Sequence, residues 1–139
     1  ICSGLVGSEM CIRDRTQAFA DEKGYVETIF GRRLYVPNIH SGNAVVRKAA
    51  QRAAINAPMQ GSAADIIKLA MIDIDRWLQS NDLDALLLLQ VHDELVFEVK
   101  EQDADLLSDG VRFRMMSAAS IDVPLVVDVG LGSNWEQAH

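Results

Sequence analysis

The stretch Gln90-Val91-His92-Asp93-Glu94-Leu95-Val96-Phe97-Glu98-Val99 sets an imidazole and two adjacent carboxylates in an apolar run. An ionised group among apolar neighbours costs free energy unless a cation, a proton or hydrogen bonds compensate it. Asp93 and Glu94 are therefore candidates for metal binding or general acid/base chemistry, with a plain polar hairpin tip as the alternative. Leu86 to Leu89 before the stretch and Leu95 to Val99 after it read as two short strands, which leaves His92-Asp93-Glu94 near their turn. Successive strand side chains point to opposite faces, so Asp93 and Glu94 do not chelate one ion as a pair unless the turn is distorted. Asp93 shares its alternation with Leu95 and Phe97, where a cation would offset its charge, while Glu94 shares a face with Glu98. Asp93 is the preferred ligand, and it needs a partner carboxylate from elsewhere.

A second set is Arg52, Asn56 and Gln60, spaced i, i+4, i+8. At least the first two share a helical face. All three carry side-chain donors that suit purine N3 and pyrimidine O2, the minor-groove acceptors common to every base pair. Such a set would sense duplex shape without reading sequence. The bland alternative has Arg52 solvated, Asn56 capping a helix and Gln60 satisfying a loop.

These residues must be held by elements, and the pattern suggests which. Tyr25 to Ile29 and Leu34 to Val36 flank Phe30-Gly31-Arg32-Arg33, two extended segments around a basic turn that would present guanidinium groups. An Ala-rich helix is expected from Ala44 to Asn56, stopping or kinking before Pro58 because proline disfavours helix at the preceding residue. A second helix is expected after Gly61 over 62–80, with Ser62 to Asp65 as a weak capping box. Its core stripe is Ile66, Ile67, Ala70, Met71, Ile74, Trp77 and Leu78. A third helix is expected over 103–117 despite Gly110, and Pro124 opens a strand over 125–129 that Gly130 and Gly132 end. Gly-Leu-Gly after that strand is not a dinucleotide fingerprint, since no helix or third glycine follows.

Composition bounds the class. At 139 residues and 49% hydrophobic, the chain suits one modest globular unit rather than a disordered tail. Its net charge of -7 argues against general nucleic-acid coating. Between Gly31 and Lys68, however, Arg32, Arg33, Arg47, Lys48, Arg52 and Lys68 face only Asp65, a region where a polyanion could bind. Cys2 and Cys11 fit neither a metal knuckle nor a redox pair. No signal peptide or membrane span is read, so a cytoplasmic setting is the default. Residues 1–15 have no clear period and read as a tail or foreign end.

Gly24-Tyr25-Val26-Glu27-Thr28, Gly31 to Pro37, Arg52 to Lys68 and Gln90 to Val99 together resemble the carboxyl-terminal part of the bacterial DNA polymerase I family, family A. The resemblance runs from about Thr16 to His139, and Asn134 to His139 looks like the family's usual chain end. It implies an α+β fold: a partial polymerase palm, mainly antiparallel, with a catalytic β-hairpin packed on helices and residues 16–139 as its carboxyl-terminal fragment. It further implies that Asp93 binds catalytic Mg²⁺, that Glu94 supports it in the active site, and that His92 lies by the primer terminus. Arg52, Asn56 and Gln60 then contact the minor groove of primer–template DNA. The implied reaction is attack of the primer 3′ oxygen on the α-phosphate of a dNTP, with two metal ions about 3.5–4 Å apart. The intact enzyme would be monomeric, away from membranes and associated with the nucleoid. The family's other metal-binding aspartate and its triphosphate-gripping fingers helix find no match here, so the fragment alone is expected to be inactive. A stand-alone duplex-binding module and a structural α+β domain remain the competing classes.

Overall fold

In the computed structural model, residues 5–118 and 125–138 are described, with side chains from residue 13 onward. The described chain comprises α1 (Leu5–Lys23), β1 (Tyr25–Glu27), β2 (Arg33–Tyr35), α2 (Ala44–Ser80), β3 (Ala85–Val91), β4 (Glu94–Val99), a 3₁₀ turn (Glu101–Asp103), α3 (Ala104–Ser117) and α4 (Trp135–Ala138). Two antiparallel two-stranded sheets, β1-β2 and β3-β4, supply the strand content. The expected α+β mixture is present. The chain divides into two compact units, residues 1–65 and 66–139.

One expectation fails in the first unit. Residues 5–15, in which the sequence shows no clear period, are helical as part of α1; Cys2 lies outside the described residues. The break expected at Pro58 does not occur, because α2 runs unbroken through it for 37 residues. The reason is a row of small residues that spans the proline. Ala50, Ala54 and Ala57 pack with Val26, Leu34, Val36 and Ile39. One turn later Gly61 lies so close to the hairpin that a β-carbon there would come 2.8 Å from Thr28 Cγ2 and 3.0 Å from Leu34 Cδ1. Burial along this row outweighs the single helical hydrogen bond that Pro58 cannot donate.

Asn43 starts α2: its Oδ1 accepts from the N–H groups of Val45 at 3.0 Å and Val46 at 3.4 Å. Ser62 is consequently no cap. It is buried in mid-helix, where its Oγ accepts the Ile29 N–H at 2.9 Å.

In the second unit the expected stripe forms the core, with Ala70, Ile74 and Leu78 packed with Ala85, Leu107 and Val111. The hairpin adds Leu95, Phe97 and Val99 to this cluster. Helix α3 forms over the expected residues in spite of Gly110, which serves close approach. A β-carbon there would overlap the Trp77 ring, so the weaker helix former permits tighter packing between α2 and α3. The strand expected over 125–129 is absent. Those residues have no regular structure, and Val126 is 88% exposed. A β-rich composition becomes a strand only when a neighbour takes its backbone hydrogen bonds, and the described strands pair only as two hairpins. Pro124 itself lies outside the described residues.

Candidate functional site

Strands β3 and β4 pair antiparallel from Ala85↔Val99 to Val91↔Glu94, leaving His92-Asp93 as a two-residue turn. Both residues are exposed at its tip, while Glu94, the first residue of β4, is half-buried. His92 has φ +53, the left-handed region that a non-glycine residue enters at a cost, although histidine is among the types enriched there. Gln90 Nε2 donates to the His92 carbonyl oxygen at 3.0 Å and ties the turn to β3. Opposite the turn, the hairpin base is closed by Lys100 Nζ and Asp84 Oδ2 at 2.6 Å. That hydrogen bond and the Asp84 charge raise the Lys100 pKa.

The register shifts between Leu87 and Leu89, so Leu88 is an extra residue opposite β4. Side-chain alternation breaks there, and Leu88 and Leu89 are both exposed. Asp93 belongs to the turn, so strand alternation does not place it with Leu95 and Phe97 as the sequence suggested. Among the described residues, no three His, Cys, Asp or Glu side chains gather as a metal-holding set. The described donors therefore do not fit a two-ion centre by themselves.

Arg52, Asn56 and Gln60 sit on the other unit. Because α2 is continuous, all three belong to one helix, each step of four residues advancing about 40° around the axis. Measured from the middle of the buried Ala50-Ala54-Gly61 row, Arg52 lies about 180° round the helix, Asn56 about 140° and Gln60 about 100°, and all three are exposed. Asn56 stands in mid-helix rather than at a cap, and Gln60 is helical rather than in a loop. Neither bland role applies.

The basic hairpin does not present its guanidinium groups freely. Arg32 Nε pairs with Asp65 Oδ1 at 2.9 Å, and its Nη2 donates to the Gly61 carbonyl oxygen at 3.3 Å. Arg33 lies 4.5 Å over the Tyr25 ring and 3.5 Å from Glu27. A hydrogen bond with Tyr35 is the main cause of its raised pKa, followed by the Tyr25 field. Arg47 donates to the Ser41 carbonyl oxygen at 3.0 Å. These internal contacts were not legible from charge counting; they reserve Arg32, Arg33 and Arg47, three of the region's six cations, for holding β1-β2 and α2 in place.

A family model described as DNA polymerase family A matches residues 12–137. DNA polymerase I of Pseudomonas aeruginosa is 60% identical over 126 residues, covering 91% of this chain and 14% of that protein. DNA polymerase I of Bacillus subtilis is 49% identical over 119 residues, covering 86% of this chain and 14% of that protein. The chain thus spans about one seventh of the length of the curated relatives it matches. Among solved structures, the POL domain of Pol1 from M. smegmatis, in complex with DNA primer-template and dNTP, superposes with a TM-score of 0.89 at 49% identity. That likeness covers 95% of this chain and 23% of the solved one.

Proposed function

This chain belongs to DNA polymerase family A, and from that premise we propose that it is part of an enzyme extending a DNA primer on a template by nucleotidyl transfer from dNTPs. The observation that best supports the reading is the family match, whose span of residues 12–137 includes both residue sets. Arg52, Asn56 and Gln60 hold the duplex through minor-groove acceptors that all base pairs share. His92 lies at the primer end of the acidic turn. Asp93 supplies one carboxylate to a two-Mg²⁺ centre, with Glu94 supporting it. Bound Mg²⁺ would supply charge neutralisation at the transferred phosphate; this chain contributes Asp93 on a two-residue turn that Gln90 ties to β3 through the His92 carbonyl oxygen.

The remaining carboxylates and the triphosphate grip come from other parts of the longer polymerase, so the 139-residue chain alone does not catalyse extension. Residues 1–11 lie outside the family match, which runs from residue 12 to residue 137, and residues 16–139 are read as the polymerase fragment. The parent acts as a monomer in the bacterial cytoplasm, at the nucleoid; among the described residues no helix is long and apolar enough to cross a membrane.

Primer extension tests the reading. The isolated chain gives no Mg²⁺-dependent incorporation, whereas a completed polymerase carrying these residues extends the primer. Asp93→Asn in the completed enzyme abolishes most extension and preserves DNA binding. Extension by the isolated chain, or normal extension by the variant, contradicts it.

A further inference from the structure

The exposed face of α2 that carries Arg52, Asn56 and Gln60 continues one turn toward the helix start, to Lys48. We propose that Lys48 is a positioning residue that grips a backbone phosphate of the primer–template duplex and so sets the register of the three groove-facing side chains. The inference rests on the duplex-binding reading above.

Three observations carry it. The first is spacing. Lys48, Arg52, Asn56 and Gln60 recur every four residues, a row about 18 Å long at 1.5 Å per residue. Its length matches about five base pairs at 3.4 Å each, with the lysine at one end, where a groove reader meets the backbone.

The second is the state of the ammonium group. Lys48 is exposed, and among the described residues it has no hydrogen-bond or ion-pair partner. Its neighbour Arg47, by contrast, is half-buried on Ser41. The residues one turn away along the helix are Ala44, Val45, Gln51 and Arg52, none of them acidic. Lys48 and Arg52 instead form a like-charged i,i+4 pair, an arrangement that destabilises a helix. An anion lying against both cations removes that repulsion.

The third is chemistry and access. Lysine offers a compact charge with three donors, suited to a phosphate rather than to base edges. The exposed neighbours Ala49 and Ala53 add little bulk beside the row, and the larger exposed side chains on the same face, Val45 and Met59, are apolar and do not compete for a phosphate.

The test is the salt dependence of primer–template binding by a completed polymerase carrying these residues, measured between roughly 50 and 200 mM salt, the range in which phosphate contacts are resolved. Lys48→Gln lowers the magnitude of the slope of log affinity against log salt by about 0.9, equally on unrelated DNA sequences. Lys48→Arg restores it, which a merely structural effect of losing the lysine would not produce, and unchanged thermal melting of Lys48→Gln establishes an intact fold. If Lys48→Gln keeps the full slope while Arg52→Ala reduces binding, the Lys48 inference is overturned and the duplex reading stands. If Arg52→Ala and Lys48→Gln both leave the completed polymerase's binding and salt slope unchanged, the duplex reading of this helix face fails and the inference falls with it.

Discussion

Arg52, Asn56 and Gln60 differ from the other polar side chains near α2 in what they lack. Arg32 has Asp65, Arg47 has Ser41 and Ser62 has the Ile29 N–H, whereas Arg52, Asn56 and Gln60 are exposed and make no such internal contact among the described residues. Replacing one of them should therefore affect binding far more than folding. Arg52→Ala is expected to change stability by no more than an ordinary surface substitution, about 0.5 kcal/mol, while primer–template binding weakens by a similar factor on unrelated sequences. Titrating several duplexes into the variant checks this, and a loss confined to particular sequences would contradict shape reading. The spacing of these residues was visible in the sequence. Their freedom was not, because it depends on which neighbouring polar groups satisfy one another in three dimensions. His92-Asp93 was likewise legible as a turn, but the left-handed backbone at His92 was not, since histidine carries no glycine-like signal for positive φ.

Helix α2 shows how packing overrules a local rule. Proline and glycine three residues apart, followed by a serine, read as the end of one helix and the start of another. Yet Pro58, Gly61 and Ser62 are all interior to one helix, because the smallness of the Ala50-to-Gly61 row matters more than the missing N–H. Gly61 and Gly110 are both helix-weakening residues placed where another element comes too near for a β-carbon. Gly110→Ala is accordingly expected to destabilise the protein by about 1–3 kcal/mol through overpacking against Trp77, although alanine is the better helix former by about 1 kcal/mol. Thermal or denaturant unfolding measures the outcome, and a stabilised variant would show that the Trp77 contact yields easily. The β3 bulge had no signature either. Four successive leucines carry no alternation from which a slipped register could be read.

At the scale of the whole chain, family membership joins a sequence about one seventh as long as its curated relatives. The elements that formed as expected, the two hairpins and α3, satisfy themselves by local pairing or by the 70–78 core stripe. The 125–129 segment has the composition of a strand but no strand beside it among the described residues. Leu86, Leu88 and Leu89 are 60%, 51% and 42% exposed on a strand with one paired neighbour. Such an edge favours association between copies. The 139-residue chain is expected to self-associate increasingly with concentration, and Leu88→Lys to reduce this; light scattering over a dilution series decides the matter.

The packing around Gly110 also gives the second unit its own optical reporter. The chain has two tryptophans. Trp135 is 48% exposed, whereas Trp77 is held against the α3 backbone with the Arg114 guanidinium 4.3 Å over its ring. A guanidinium stacked on an indole perturbs its emission, and that contact disappears as soon as α3 separates from α2. Trp77 fluorescence therefore follows the docking of one helix on another, a signal distinct from the loss of helical backbone seen by circular dichroism.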